Sequence, residues 1–293
     1  MTMNLTYLRA FDAVAEAGSF VGAAAALHVT QPTLSEQVKA LERKYGVALF
    51  DRRGRGVVLT PLGHELRAIS RRLFDLESEA HQCLADAGQL RSGLLRLGTD
   101  GPVHIMPLLA AFRERYPGVD VALSTGNGES IRAALLANEI DLAVIANVEA
   151  DPRLVTAPLR EGRVVAIVAH DHPLAEQDSV SPAELAAERL VTREYGSVTQ
   201  RIFHEAWCET EHILDDIFQV DSREALHAAV AAGLGIGVVD EVELPGDPRV
   251  VRLPIDGLDL RVIESVVCWA DRFDIRVVRA GWELALEIAA RDH

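Results

Sequence analysis

The polar side chains between Gln31 and Lys39 are the part of this sequence best suited to contacting a nucleic acid. Glutamine forms a bidentate pair with adenine, serine and threonine hydroxyls bind either kind of base edge, and lysine binds phosphate. The candidate contact residues are Gln31, Pro32, Thr33, Ser35, Gln37 and Lys39. Leu34, Val38 and Leu41 recur among them at helical spacing, which predicts a helix that buries one stripe and exposes the polar face.

A shorter helix ahead of this one would complete a helix-turn-helix. Ser19 stands where an N-cap belongs, and Phe20, Ala23 and Leu27 follow at helical spacing. Pro32 suits the first turn of the second helix, because the N–H that proline lacks is not needed there. In a helix-turn-helix, the first residues of the second helix reach the bases. The alternative interpretation is an ordinary helical hairpin with a solvated face.

The segment after the second helix favours the DNA interpretation, because it is typical of a β wing. Leu49-Phe50 and Val57-Val58-Leu59 read as two short strands around a glycine-containing turn. The turn carries Arg52, Arg53 and Arg55, which could contact phosphates or a minor groove. A first helix from Leu5 to Ala17 would pack beneath the other two, and Thr60-Pro61 would begin the next helix.

Residues 61–90 show a 4, 3 alternation of small or apolar side chains held over four repeats. Its members are Leu62, Leu66, Ile69, Leu73, Leu76, Ala80, Cys83, Ala87 and Leu90. Such a seam predicts a long helix that pairs with a second helix. The alternative is an amphipathic helix that lies on its own domain.

Beyond residue 91 short apolar runs alternate with helical segments, which is typical of an α/β fold. Ligands bind such sheets at the carboxyl ends of the strands. Three loops qualify there, at 98–102, 124–130 and 195–199. The candidate effector-binding residues are Thr99, Asp100, Gly101, Gly126, Asn127, Ser130, Ser197 and Thr199.

These loops suit a small anion, since glycines allow close approach and hydroxyls and helix N-terminal N–H groups bind negative charge. Asp100 does not fit a purely anionic ligand, because its carboxylate would repel one. The sequence therefore predicts either an organic anion or a zwitterion whose amino group pairs with Asp100.

The charge of the chain is unevenly distributed. The whole chain carries a formal charge of −15, yet residues 1–60 hold seven Lys or Arg against five acidic residues. Residues 61–90 have three basic and five acidic residues, so the acidic excess lies on residues 91–293. This asymmetry indicates a basic nucleic-acid-binding part joined to an acidic part.

Other classes of function find little support in the sequence. Cys83, Cys208 and Cys268 match no metal spacing and are expected to be reduced thiols. The glycines of 233–237 follow a predicted helix, whereas a dinucleotide site needs them after a strand. His170-Asp171-His172 has no third ligand at metal spacing and is expected in a surface loop. We expect no enzyme activity, no cofactor, no metal and no membrane span, and a cytoplasmic location.

The chain closely resembles the LysR-type transcriptional regulators. The residues that carry the resemblance include Gly18-Ser19-Phe20, Gln31-Pro32-Thr33-Leu34-Ser35, Leu59-Thr60-Pro61-Leu62-Gly63, Tyr116-Pro117, Asp141-Leu142-Ala143 and Gly233-Leu234-Gly235-Ile236. The resemblance implies a winged helix-turn-helix at 1–60, a linker and dimerisation helix at 61–90, and an effector-binding domain at 91–293. That domain would contain two Rossmann-like subdomains of periplasmic-binding-protein (type 2) topology, one of about 91–161 plus 268–293 and one of about 162–267.

The resemblance also implies partners and a mode of action. A dimer or tetramer would bind a pseudo-palindromic operator, respond to a small effector and contact RNA polymerase, most often as an activator. The sequence also looks like the branch associated with aminoethylphosphonate breakdown, which makes that compound one candidate effector. The alternatives are an effector-independent DNA-binding protein or repressor, and a solute-binding protein without a regulatory role.

Overall fold

The computed structural model describes residues 3–51, 57–85, 90, 92–243 and 246–291. The chain divides into two compact units, Met1–Gly88 and Gln89–His293. Each unit has hydrophobic clusters of its own, so each is described by itself.

Among its described residues, the N-terminal unit has four helices and a two-stranded sheet. The helices are α1 (Leu5–Ala17), α2 (Phe20–Ala26), α3 (Gln31–Tyr45) and α4 (Pro61–Ala85), and the strands are β1 (Phe50–Asp51) and β2 (Val58–Leu59). The two strands are antiparallel, with Phe50 opposite Leu59. Phe11, Leu34 and Val38 are fully buried in the core. The predicted winged helix-turn-helix is thereby confirmed for the described residues.

Side-chain caps explain where these helices begin. Ser19 Oγ accepts from Gly22 N at 3.0 Å, as its position predicted. Thr30 Oγ1 accepts from Thr33 N at 3.4 Å at the start of α3. Thr60 Oγ1 accepts from Gly63 N at 3.0 Å, which confirms the predicted beginning of α4.

Helix α4 divides the predicted apolar seam between two faces. Leu66, with Phe74, packs against the core of the N-terminal unit. Leu62, Ile69 and Leu76, one heptad apart, are 42%, 59% and 59% exposed. The side chain of Cys83 and the whole of Ala87 lie outside what the structure describes.

The C-terminal unit is an α/β fold with a nine-stranded sheet. Its strands are β3 (Gly93–Thr99), β4 (Val119–Thr125), β5 (Leu142–Ala146), β6 (Leu154–Ala169), β7 (Leu190–Thr192), β8 (Ile217–Gln219), β9 (Ile236–Asp240), β10 (Val250–Leu253) and β11 (Arg261–Trp269). Its helices are α5 (Pro102–Arg115), α6 (Gly128–Leu136), α7 (Pro182–Ala186), α8 (Val198–Trp207), α9 (Arg223–Ala231) and α10 (Arg276–Ala289).

The strand order β4-β3-β5-β11-β6-β9-β7-β8, with β10 beside β6, makes two halves joined by long strands. In the first half β3 runs parallel to β4 and β5, and in the second β7 runs parallel to β8 and β9. β11 pairs antiparallel with β5 and with β6, and β6 also pairs with β9. The predicted fold of two α/β subdomains is confirmed.

Two expectations about loops are also confirmed. Helix α9 ends at Ala231, and Gly233, at φ +73°, donates its N–H to Val230 O at 2.9 Å before β9 begins. Gly233 therefore ends the helix, and Gly237 lies in the strand that follows, which is not the order of a dinucleotide site. His170 and Asp171 lie exposed after β6, as expected for a surface loop.

Within the described ranges, no helix combines the length and the apolar character that a membrane crossing requires.

Candidate functional site

The predicted contact residues of the N-terminal unit share the outer face of α3. Gln31, Pro32, Thr33 and Lys39 are exposed there. Ser35 and Gln37 are half-buried, and Leu34, Val38 and Leu41 form the buried stripe. The free face begins at the helix N-terminus, which is the part that enters the major groove in helix-turn-helix proteins.

One basic side chain of α3 has an acidic partner on the same helix. Glu36 pairs with Arg43, an exposed pair on the same helix, and this neutralises one basic group. Arg52, Arg53 and Arg55, the predicted wing contacts, lie outside the described residues. Lys39 is therefore the exposed cation among the described candidate residues.

In the C-terminal unit the loops chosen from the sequence meet at the carboxyl ends of the strands. Asn127 caps α6 by accepting from Ser130 N at 2.9 Å, and Ser197 caps α8 by accepting from Gln200 N at 3.4 Å. Asn127 Nδ2 lies 3.5 Å from Glu194 Oε1, its acceptor on the other half of the unit. A Cβ at Gly196 would collide with the amide group of Asn127, so glycine allows this approach without displacing that side chain.

A cavity of about 300 Å³ lies at this junction. Gly128 and Ser197, at the N-termini of α6 and α8, line it together with Tyr195. Two arginines also line it and have acidic partners: Arg132 pairs with an aspartate and Arg201 with a glutamate, each at 3.0 Å. Two helix N-termini and two guanidinium groups favour the anionic group of a small ligand, although the carboxylates of Glu129 and Glu149 line the same wall.

A second, much smaller cavity lies beside Asp100 and has room of only about 10 Å³. Asp100 Oδ2 accepts from Ala146 N at 3.3 Å, and Arg223 Nη2 donates to the backbone oxygen of Asp100 at 2.9 Å. Burial raises the pKa of Asp100 to about 6, although Arg223 opposes the shift. Burial likewise raises the pKa of Glu243 to about 7, despite bonds of 2.7 and 2.5 Å from Arg223.

The wall of this small cavity continues into a cluster of His104, Asp240 and Glu264. His104 Nε2 lies 3.4 Å from Glu264 Oε1 and 3.8 Å from Asp240 Oδ2. Arg160 Nη2 donates to the other oxygen of Asp240 at 3.1 Å. Burial lowers the pKa of His104 to about 4, and burial and neighbouring carboxylates raise the pKa of Glu264 well above its ordinary value.

Some of the predicted effector residues line a cavity, and others lie outside the lining. Asp100, Asn127, Ser197 and Thr199 line the small cavity. Thr99 is fully buried, and its hydroxyl donates to Gly101 O at 3.0 Å.

The other predicted residues shape the walls. A Cβ at Gly101 would lie 2.5 Å from the ring of His104, so this glycine makes room for the histidine. Ser130 Oγ donates to Asn127 O at 2.9 Å, and a Cβ at Gly126 would collide with Ser130. Gly126 and Ser130 thus shape the turn before α6 and lie outside the lining of both cavities.

Several charged residues of the site were not predicted from the sequence. They are His104, Arg160, Arg193, Arg223, Asp240, Glu243 and Glu264. Asp240 ends the apolar run of β9 and Arg223 follows the N-cap Ser222, so strand and helix ends gave a usable signal for these two. Glu264 lies within β11, where its position in the sequence carries no such signal.

Comparison with known proteins gives matches to both units. Residues 5–64 match the model of the bacterial regulatory helix-turn-helix protein, lysR family, and residues 88–290 match that of the LysR substrate binding domain. A RuBisCO operon transcriptional regulator of Allochromatium vinosum is 34% identical over 263 residues, which are 88% of this chain and 87% of the relative. The HTH-type transcriptional activator CmpR of a Synechocystis strain is 32% identical, over 80% of this chain and 78% of the relative.

Among solved structures, a full-length, singly substituted OxyR from Pseudomonas aeruginosa superposes with a TM-score of 0.79. The alignment covers 97% of this chain and 95% of that one at 23% identity. At this identity the likeness concerns the fold alone.

Proposed function

This chain belongs to the LysR family of DNA-binding transcriptional regulators, and from that premise we propose that it activates transcription when a small organic effector binds at the junction of its two α/β halves. The family consists of regulators and not of enzymes, so the cavities are assigned to ligand binding. The observation that carries the proposal is the cavity of about 300 Å³ between the N-termini of α6 and α8. Its size is at the lower end for small-molecule sites.

The effector class follows from the groups around the junction. Helix N-termini and arginines favour an anionic group, and Asp100 beside them favours an amino group. A small organic anion or a zwitterion therefore fits, and 2-aminoethylphosphonate is one zwitterion of this kind. A catabolic operon is the first candidate target, and the likeness to the Allochromatium regulator makes a RuBisCO operon the second.

DNA binding is assigned to the outer face of α3 and to the wing arginines, within a domain of residues 1–60. Leu62, Ile69 and Leu76 on α4 would pair with a second copy of the helix, through a linker of residues 61–90. A dimer or tetramer would place its reading helices on a pseudo-palindromic operator in the cytoplasm. Effector binding to residues 91–293 would then change the contact with DNA and RNA polymerase.

The effector is tested by thermal unfolding of the full chain with a panel of carboxylates, amino acids and phosphonates, 2-aminoethylphosphonate included. A ligand at one hundred times its Kd stabilises the folded state by about 2.7 kcal/mol, which raises Tm. The same ligand is expected to change operator affinity in a fluorescence-anisotropy titration. Operator binding that no panel member alters would favour an effector-independent regulator or repressor.

The amino group is tested by Asp100→Asn, which removes the charge and keeps the shape. We expect affinity for an amine-bearing effector to fall about tenfold or more, because a buried charge pair is lost, with little change for the deaminated analogue. Isothermal titration calorimetry measures both, and the exposed Asp120→Asn is the control. Equal losses for the two ligands would contradict the assignment of the amine to Asp100.

A further inference from the structure

The small cavity and the cluster beside it contain more negative than positive charge. The carboxyl groups are those of Asp100, Asp240, Glu243 and Glu264. Arg160 forms a salt bridge with Asp240, and Arg223 forms one with Glu243. Arg193 pairs with the adjacent Glu194 at 2.7 Å. Four carboxylates thus face two guanidinium groups, and two negative charges remain uncompensated when all are ionised. Buried charge of this kind requires a counter-charge or protonation.

Three atoms of the cluster are suitably placed to coordinate a cation, and the cation would supply that counter-charge. His104 Nε2, Asp240 Oδ2 and a Glu264 carboxylate oxygen lie within 4.8 Å of one another. Two ligands bound tetrahedrally to zinc at about 2.1 Å are about 3.4 Å apart. His104 Nε2 and Glu264 Oε1 have that separation, 3.4 Å, and Asp240 Oδ2 lies 3.8 Å from the nitrogen.

The three side chains are buried, and each has a polar atom without a hydrogen-bond partner among the described residues. For Glu264 this atom is Oε2, whereas Oε1 is the oxygen that lies near His104. The side chains of His104, Asp240 and Glu264 are 5%, 2% and 4% exposed. His104 Nε2, Asp240 Oδ2 and Glu264 Oε2 form no hydrogen bond within the described part of the chain. A buried polar atom without a partner costs free energy, and a cation bound between these side chains would lower that cost.

The surroundings of the three side chains suit a small cation better than an organic group. The adjoining cavity has room of about 10 Å³, which accommodates about one water-sized particle. Arg160 bonds Asp240 Oδ1 and leaves Oδ2 directed toward the cluster, as outer-shell partners of metal ligands do.

We propose that His104, Asp240 and Glu264 bind a divalent first-row cation, zinc being the best match to one nitrogen and two carboxylate ligands. A fourth position would be filled by water, as in zinc sites with three protein ligands. The two positive charges of the ion would neutralise the two excess carboxylates. Calcium and magnesium fit less well, since both prefer oxygen ligands at higher coordination numbers.

The ion would also join the two halves of the C-terminal unit. His104 is on α5 in the first half, and Asp240 ends β9 in the second. Glu264 lies on β11, opposite Ala146 of β5 and Arg160 of β6, where the register with β6 shifts. Such a shift, a β-bulge, redirects a side chain out of the regular ladder. Bound metal would therefore restrain the junction at which the effector cavity lies.

The experiment uses the full chain without affinity tag, freed of metal by chelator and then dialysed against zinc. We expect one zinc per chain by mass spectrometry, an increase in Tm, and visible absorption of a four-coordinate site when cobalt replaces zinc. Magnesium at the same concentration is expected to give none of these effects.

Two variants and one control locate the site. His104→Ala and Glu264→Gln should each lower zinc affinity at least tenfold and abolish the cobalt absorption. His170→Ala removes an exposed histidine whose Nδ1 is 4.0 Å from Asp171 Oδ1, and it should bind zinc as the parent does. A cooperative unfolding transition in metal-free Glu264→Gln, a nearly isosteric change, shows that lost binding is not lost folding.

Three results would overturn the proposal. The parent protein could retain no zinc, Glu264→Gln and His104→Ala could both bind zinc as tightly as the parent, or His170→Ala could lose as much zinc affinity as these two variants. If zinc fails to bind and an amine-bearing effector loses affinity in Glu264→Gln, the counter-charge of the cluster is the effector's ammonium group. Operator binding by the metal-free protein tests the regulatory function separately, so the two proposals fail independently.

Discussion

At the scale of single residues, Gln31 and Lys39 share one exposed helix face and differ in what they can recognise. The Gln31 amide can discriminate adenine from other bases, whereas the Lys39 ammonium attracts phosphate in any sequence. We therefore expect Gln31 to affect the choice among DNA sequences and Lys39 to affect the affinity for all of them.

Gln31→Ala is expected to change the ranking of operator variants, with a loss of about 1–3 kcal/mol at the base that Gln31 contacts. Lys39→Ala should weaken binding to all sequences alike and reduce the salt slope by about one. Anisotropy titrations at several salt concentrations measure both effects, with the exposed Glu65→Gln as control. Uniform weakening in Gln31→Ala would mean that this residue does not read a base.

Asp12 gives a pH dependence to the N-terminal unit. Its carboxylate accepts from Ser70 Oγ at 2.5 Å, and burial raises its pKa although Ser70 and Arg71 oppose the shift; Glu16 adds to it and Arg67 opposes it. A raised folded-state pKa means that the folded unit holds more protons than the unfolded chain. The stabilisation that protonated Asp12 gives to the folded unit is therefore present below the ordinary pKa of aspartate, and it is lost as the pH rises through the raised pKa.

Asp12→Asn keeps an acceptor for Ser70 and cannot ionise. We expect its Tm to exceed that of the parent by about 3 °C or more at pH 8 and by less at pH 4, because only the parent deprotonates. Thermal unfolding monitored by circular dichroism at both pH values tests this, and the exposed Glu65→Gln should show no such difference. A larger gain at acid pH would contradict the sign.

At the scale of elements, α4 has two apolar faces, one packed against its own unit and one exposed. Leu66 faces the core of its own unit, whereas Leu62, Ile69 and Leu76 leave a row of exposed apolar side chains. An exposed row of apolar side chains at seven-residue spacing is what a helical partner would cover.

Ile69→Glu places a charge in the middle of this row, and it should convert the oligomer to smaller species in sedimentation velocity. The fold of the helix-turn-helix should persist, since Ile69 is outside the hydrophobic core of the N-terminal unit. His64→Glu, at an exposed position of the same helix, is the matched control. An unchanged oligomer in Ile69→Glu would remove the proposed pairing surface.

At the scale of the whole molecule, each unit buries a core of its own and should unfold as its own cooperative transition. Gly63→Ala tests this, because a Cβ there would collide with Leu49 O in the N-terminal unit. Calorimetry should show that only one transition shifts, by about 1–3 kcal/mol in stability. Gly246→Ala, with open space around its Cβ, is the control. A shift of both transitions would show that the units are energetically coupled.

The sequence by itself determined the helices of the N-terminal unit, the caps at Ser19 and Thr60 and the α/β alternation of the C-terminal unit, but not β11 or α10. Ser19, Pro32 and Thr60 act within three or four residues of their own positions, and apolar periodicity is likewise a local property. Local rules therefore located α1 at Leu5–Ala17 and chose loops at the strand ends, of which Asp100, Asn127, Ser197 and Thr199 do line a cavity.

Only the tertiary structure decided which charged groups meet. His104, Asp240 and Glu264 are far apart in the chain and come together because β9 and β11 end or cross beside α5. It also decided that Leu66 joins a core while Ile69 stays exposed, although both fit one repeat. Long-range packing sets burial, and burial sets the charge state of a carboxyl or an imidazole, so neither could be deduced from residue types alone.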